Sequence, residues 1–306
     1  MSSDEFIEKI NRLRREKEAV ILAHNYQRPE VQDIADYVGD SIELARRAMN
    51  EVKAKILVVA AVDFMAENAF LLNPTKKVLI PNQYAHCPMA RMLSMDDIER
   101  YRKTYPKIPM VLYVNTFAEA KARCDICCTS ANAIKIVESV TSDTVIFGPD
   151  CNLAEFVQEK TKKKIIPIPE HGFCPTHQVF DEENILLLKG KYPEAEVLVH
   201  PECTRGVRHI ADFVGSTSQI INYAREATNA QTFIIGTEEG ILHRLKKDNP
   251  DKEFILAHVF GICPNMKMTT LENIYLSLKE EVYPVTVPKN IAAKARLSLK
   301  KMFDAS

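Results

Sequence analysis

Three Cys-Pro pairs carry the strongest chemical signal in this chain: Cys87-Pro88, Cys174-Pro175 and Cys263-Pro264, at steps of 87 and 89 residues. Each follows a short apolar run of strand character. Three thiols at matching places in three look-alike segments can converge on one point. Three soft sulfur ligands suit an iron–sulfur cluster that leaves one iron unligated by protein. Such an iron is a Lewis acid, able to hold a carboxylate, imine or hydroxyl and to stabilise charge during dehydration. Three buried structural cysteines, or zinc held by three thiolates, are the alternatives. Cys124-x-x-Cys127-Cys128 also looks like a metal motif. It has no counterpart in the other two segments, where the matching positions are 35–39 and 211–215, so it reads as buried thiols, with Cys127 in a strand-to-helix turn. Cys151 and Cys203 lack counterparts as well.

Other residues keep the same step. His24, Tyr113 and His200 end apolar runs, and two residues on stand Tyr26, Asn115 and Glu202. Imidazole and amide groups can hold carboxylates or phosphate, while Tyr and Glu can move protons. Asp36, Asp125 and Asp212 follow, then Ser41, Ser130 and Thr217. Each hydroxyl residue stands where a helix should begin; there it either caps the helix or offers, with the helix N-terminus, a place for an anion. A further apolar run ends near Asp63, Asp150 and Glu238. His177 and Lys267, three and four residues after their cysteines, are candidates to tune a cluster from behind. Arg205, Arg208 and His209 read as a solvated basic face.

The elements that must position these groups repeat with them. Each segment reads as a charged helix, a strand, a loop and helix, a second strand, another helix, and a third strand ending just before Cys-Pro. The third strands fall at 77–80, 164–168 and 253–257. Strands alternating with helices predict an α/β chain of three homologous αβα domains with small parallel sheets. The repeating residues lie just past strand ends, where α/β sheets bind ligands, so a pseudo-threefold arrangement would build one central cavity. The expected domains are 1–87 with 284–306, 88–174 and 175–283; the C-terminal part, with a strand-like Val285-Thr286-Val287, returns to the first.

Bulk composition excludes little and agrees with this. The chain has 306 residues, net charge −1, 46% hydrophobic and 26% charged residues, ordinary for a globular protein. Nothing in that balance calls for nucleic acid or a membrane surface. The longest apolar stretches, such as 56–62, are too short to span a bilayer, and residues 1–17 lack a signal-peptide core. A cytoplasmic location is expected, where eight cysteines serve metal, catalysis or packing rather than disulfides.

With these residues assembled, the sequence resembles the quinolinate synthase (A protein) family over nearly its whole length. The resemblance is carried by Ala23-His24-Asn25-Tyr26-Gln27, Gly39-Asp40-Ser41, Tyr113-Val114-Asn115, Phe147-Gly148-Pro149-Asp150, His200-Pro201-Glu202-Cys203 and Ile235-Gly236-Thr237-Glu238. It implies an enzyme with a [4Fe–4S] cluster on Cys87, Cys174 and Cys263. It implies condensation of iminosuccinate (iminoaspartate) with dihydroxyacetone phosphate to quinolinate, phosphate and water, in de novo NAD biosynthesis. Substrate carboxylates or phosphate would be held by His24, Ser41, Tyr113, Asn115, Ser130, His200, Glu202 and Thr217. Tyr26, Tyr113 and Glu202 would transfer protons, and a transient L-aspartate oxidase or dehydrogenase is the implied protein partner. Two departures stand out: no second cysteine accompanies Cys263 within 258–262, and Cys151 and Phe173 stand where polar residues are expected. An iron–sulfur hydro-lyase acting on another small polycarboxylate, and a non-catalytic sensor or zinc-stabilised scaffold, are the competing readings.

Overall fold

A computed structural model describes residues 1–50 and 54–305. Twelve strands among the described residues form three four-stranded sheets. The first holds β1 (Ala19–His24), β2 (Tyr37–Gly39), β3 (Ile56–Ala60) and β4 (Lys77–Leu79). The second holds β5 (Met110–Tyr113), β6 (Ile126–Cys128), β7 (Thr144–Gly148) and β8 (Lys164–Pro167). The third holds β9 (Glu196–Val199), β10 (Phe213–Val214), β11 (Thr232–Gly236) and β12 (Glu253–Leu256). Within each sheet the second strand lies outermost, then the first, third and fourth, and every pairing is parallel. The chain is therefore α/β with three small parallel sheets, as expected for three αβα units.

Register repeats along with order. Leu22 pairs with Tyr37, Val111 with Ile126, and Leu198 with Phe213, each pair 15 residues apart. The triplicated aspartates explain why. Asp36, Asp125 and Asp212 each accept the backbone N–H of the first strand, from Ile21, Met110 and Val197, at 2.7–2.8 Å. Their own N–H groups bond back to Ile21, Met110 and Val197 at 2.9 Å. A two- or three-residue strand has too few ladder bonds to fix its own register, and these side chains supply the missing constraint.

The short strands β2, β6 and β10 were not anticipated. They move Cys127 from a turn onto β6, where its backbone pairs with Leu112. The central strands β3 and β7 are nearly all buried, which is why they read as continuous apolar runs rather than alternating ones.

Two helices tie the units together. The helix Leu271–Glu280, after Cys263 in the chain, packs on Ser3–Glu16 beneath the first sheet, sharing the apolar cluster of Ile10, Ile21, Val58, Ile274 and Leu278. The expected strand over 285–287 is reduced to one antiparallel bridge, Leu79 with Pro284, flanked by bonds from Ile80 N–H to Tyr283 and from Val285 N–H to Val78. That contact still covers the open edge of β4. The final helix Lys289–Asp304 then crosses to the second unit, burying Ala292, Ala295, Leu299 and Met302 against Asp63–Leu72, Ala118–Lys121 and β6. One apolar cluster runs continuously through the first and second units. Each buried Leu or Met in it contributes about 1.5–3 kcal/mol. No helix among the described residues is long and apolar enough to cross a membrane.

Candidate active site

A cavity of about 910 Å3, its mouth included, opens beyond the carboxyl ends of the strands. All three Cys-Pro pairs line it, Cys87-Pro88, Cys174-Pro175 and Cys263-Pro264. So do His24, Tyr26, Ser41, Tyr113, Asn115, Ser130, His177, His200, Glu202 and Thr217. Thus the six residues at or just past the end of each unit's first strand, the three helix-start hydroxyls and the three cysteines picked by the repeat reach this one space, and every unit contributes. Asp40, Thr129, Thr176 and Asn265 line it too; Asp40 with Thr129 and Thr176 with Asn265 keep the 89-residue step, but the sequence reading stopped at the hydroxyl residues beside the first pair and the cysteines near the second.

The cysteine loops share a further device. In each, the backbone N–H of the cysteine donates to the acid that follows the third strand: Cys87 to Asp63 Oδ1 at 3.0 Å, Cys174 to Asp150 Oδ2 at 3.1 Å, Cys263 to Glu238 Oε1 at 3.0 Å. The repeat marked these acids without disclosing this role. Their surroundings differ. Asp63 meets His86 and Arg91, while Glu238 is paired with Lys267 at 2.9 Å. Asp150 is wholly buried and accepts backbone N–H groups, those of Leu153 and Cys174 among them. Lys267 therefore sits behind the cavity wall, bracing Glu238 and donating to the Tyr26 carbonyl at 2.8 Å.

The three cysteine sulfurs face one cavity without meeting at a single ion. Around a tetrahedral zinc, sulfurs at 2.3 Å stand about 3.8 Å apart. Among the described residues the one group of three metal-capable atoms within 4.8 Å of each other is Cys174, His177 and Glu202, so the three sulfurs do not meet that tightly. Burial raises all three thiols, and around Cys174 the charges of Glu202, Cys263 and Cys87 add to it. Thiols so placed become thiolates when a metal holds them.

The helix starts settle which hydroxyls cap and which do not; Thr217 Oγ1 accepts from the Asn25 amide at 2.8 Å. Asp40 accepts from the N–H groups of Ile42 and Glu43, and Ser216 caps Thr217–Glu226 through Gln219. Capping thus falls to the residue before Ser41 and Thr217, leaving both at the first helical position facing the cavity. Ser130 precedes its helix, Ala133–Ser139, and bonds the Tyr113 phenol instead. Asp40 and Glu43 also bond Ser216 and Ser218, so the first and third units meet at these two helix starts.

The imidazoles are neutral donors. Burial pushes both His24 and His200 down to about 3, against the opposing pull of Glu202. His24 Nδ1 accepts the Tyr26 N–H at 3.1 Å, and His200 Nδ1 the Glu202 N–H at 3.3 Å. The proton of each ring therefore rides on Nε2. Burial alone would raise Glu202, but His200 and His177 beside it, with the hydrogen bond from Tyr113, outweigh burial and keep the carboxylate ionised. Burial, then Glu202, pushes the phenols of Tyr26 and Tyr113 well above their usual range. Asn115 Oδ1 is buried with no hydrogen-bond partner among the described residues, an acceptor left for whatever fills the cavity. Neither Lys nor Arg appears among the lining residues.

The remaining candidates lie elsewhere. Cys127 and Cys128 are buried, Cys124 is half-buried, and none lines the cavity. Cys203 is buried with its Sγ donating to the Gly236 carbonyl, and Cys151 and Phe173 also fall outside the lining. Arg208 corrects the solvated-face reading: it is buried, bonded to the Cys203 carbonyl and to Glu155.

Comparison with known proteins agrees with this geometry. The family described as Quinolinate synthetase A protein matches residues 8–304. A quinolinate synthase of Alkaliphilus metalliredigens is 50% identical over 304 residues, covering 99% of both chains. That of Thermotoga maritima is 50% identical over 298 residues, covering 97% of this chain and 99% of its own. That of Thermococcus onnurineus is 47% identical over 306 residues, the full length of both.

Proposed function

The chain belongs to the quinolinate synthetase A protein family, an enzyme family, and from that premise we propose that it condenses iminosuccinate with dihydroxyacetone phosphate to quinolinate, phosphate and water. The observation that carries the reading is the meeting of three equivalent Cys-Pro turns, one per unit, on one cavity whose other polar groups are neutral donors and two carboxylates, Asp40 and Glu202. Cys87, Cys174 and Cys263 would hold a [4Fe–4S] cluster. When bound, that cluster supplies an open iron, a Lewis acid suited to dehydration.

The chain's own residues do the rest. The Nε2–H groups of His24 and His200, the hydroxyls of Ser41, Ser130 and Thr217, and the Asn115 amide hold the carboxylates and phosphate. Neutral donors and the starts of Ser41–Asn50 and Thr217–Glu226 suit this task, since dipoles bind an anion without locking it in an ion pair. Glu202 takes protons as general base; it is ionised and held between His177 and Tyr113. Tyr113, bonded to Ser130 and Glu202, and Tyr26 move protons at the ring-closing and dehydrating steps. His177 and Lys267 steady the wall behind them.

The reading also places the enzyme in the cytoplasm and in de novo NAD biosynthesis, with iminosuccinate supplied by an L-aspartate oxidase or dehydrogenase. It divides the chain into 1–87 with 284–306, 88–174 and 175–283; the packing of Leu271–Glu280 on the first unit argues for an earlier final limit. Anaerobic reconstitution tests it. The expected outcome is a brown protein with about four iron and four sulfide per chain that forms quinolinate from the two substrates. A protein that binds the iron yet makes no quinolinate, or dehydrates another small polycarboxylate instead, overturns it.

A further inference from the structure

Thr237 is fully buried and lies outside the cavity lining, yet its hydroxyl joins two residues that line it. Its Oγ1 is 2.6 Å from the Tyr26 phenol oxygen and 2.9 Å from His177 Nε2. The three residues are far apart in the chain; Tyr26 and Thr237 are separated by 211 positions. An aliphatic hydroxyl has one proton, so Thr237 can donate to one neighbour only and must accept from the other.

When that proton serves one of these two neighbours, two arrangements result. In one, His177 carries its proton on Nε2 and donates to Thr237, which donates to Tyr26; the phenolic proton is then free for the cavity. In the other, Tyr26 donates to Thr237, which donates to an unprotonated Nε2, and the phenol turns its lone pairs to the cavity. Glu202 selects between them. Its Oε2 stands 2.8 Å from His177 Nδ1, off the line of an aligned hydrogen bond but close enough for the carboxylate to draw the proton there. His200, stacked on His177 with centroids 4.7 Å apart, keeps the ring from turning.

We propose that Thr237 is a positioning residue: by donating to His177 Nε2 it holds, together with Glu202, the Nδ1–H tautomer of His177, and by accepting from Tyr26 it turns that hydroxyl so that the phenol meets the substrate as an acceptor. Thr237 touches neither substrate nor metal ligand in this arrangement; it acts through Tyr26. The proposal rests on the function proposed above, because Tyr26 needs an orientation only if it handles substrate.

The test uses the full chain, reconstituted anaerobically, with Thr237→Val and Thr237→Ser beside the wild type. For Thr237→Val, kcat should fall about 10- to 100-fold, with KM within about threefold and iron content unchanged. Thr237→Ser, which keeps the hydroxyl, should return kcat to within about threefold. A Thr237→Val enzyme within twofold of wild-type kcat, or a Ser variant as impaired as the Val variant, overturns the role. Nitrogen NMR of the 15N-histidine-labelled full chain, with the signal identified by His177→Gln, reads the tautomer without any turnover. An Nδ1–H pattern in the wild type that changes in Thr237→Val is expected; an Nε2–H pattern in the wild type sinks the proposal. A wild type that shows the Nδ1–H pattern but makes no quinolinate counts against the proposed function and not against the tautomer.

Discussion

Six of the eight cysteines fall into two sets with opposite surroundings. Cys87, Cys174 and Cys263 sit in turns at the wall of a shared cavity, each held by a carboxylate through its backbone N–H. Cys127 and Cys128 lie on β6, the edge strand of the second sheet, and Cys124 just before it. There Cys124 and Cys127 face each other at 3.8 Å, Cys127 Sγ donates to Ser298 Oγ, and buried Lys121 lies nearby. Burial raises the Cys127 thiol, but the Cys124 hydrogen bond and the Lys121 charge outweigh it and bring the group down. Sulfur density along the chain is thus a poor guide to a metal site. Turns that converge on one cavity are a better one.

Removing a central thiol gives the largest expected effect. Cys174→Ala should abolish visible absorption near about 400 nm and lower turnover at least about 100-fold; a variant keeping both would dissolve the distinction between the sets. Next comes the anchor. Asp150→Ala leaves the N–H groups of Leu153 and Cys174 without their acceptor, so it should destabilise the protein by about 1–3 kcal/mol and lower iron occupancy, read by thermal melting and metal analysis. Unchanged melting and iron content would show that the carboxylate anchor is incidental.

A smaller effect separates the neutral cavity from the cation-bearing periphery by pH. His200 in the folded chain titrates at about 3, against about 6.5 when unfolded. The unfolded chain therefore binds this proton first, and stability is lost as pH falls from the unfolded value towards the folded one. Between pH 7.5 and 5.5 this residue should cost about 1.4 kcal/mol. His200→Asn should flatten the measured stability–pH curve by about that amount, and an unaltered slope would mean that His200 is charged when folded. Smallest of all is Cys127→Ala: turnover within about twofold and a loss of about 1 kcal/mol for the small cavity. A large loss of iron in that variant would promote the peripheral set to ligands.

Much of this was legible beforehand because repetition in sequence became repetition in space. Three apolar runs ending in His24, Tyr113 and His200 became three parallel strands ending at the cavity, since strands buried on both faces read as unbroken apolar stretches. The short strands β2, β6 and β10 were hidden because two or three residues carry no period; in β6 the sequence Ile126-Cys127-Cys128 also mimicked a metal motif. The bonds between distant parts of the chain were hidden for another reason. Thr237 with Tyr26, Asp40 with Ser216 and Lys267 with the Tyr26 carbonyl depend on how the units dock, and no local pattern records docking. The strand expected over 285–287 failed because the tail meets the edge of β4 at a single bridge before Pro288 starts the last helix.

Asp36, Asp125 and Asp212 carry a historical consequence. Their side chains make the same bond to the same strand position in every unit, while the neighbouring cavity positions have become His, Tyr and His, or Tyr, Asn and Glu. The fastening is thus older than the tripling of the ancestral segment, and selection after that event worked on the side chains facing inward.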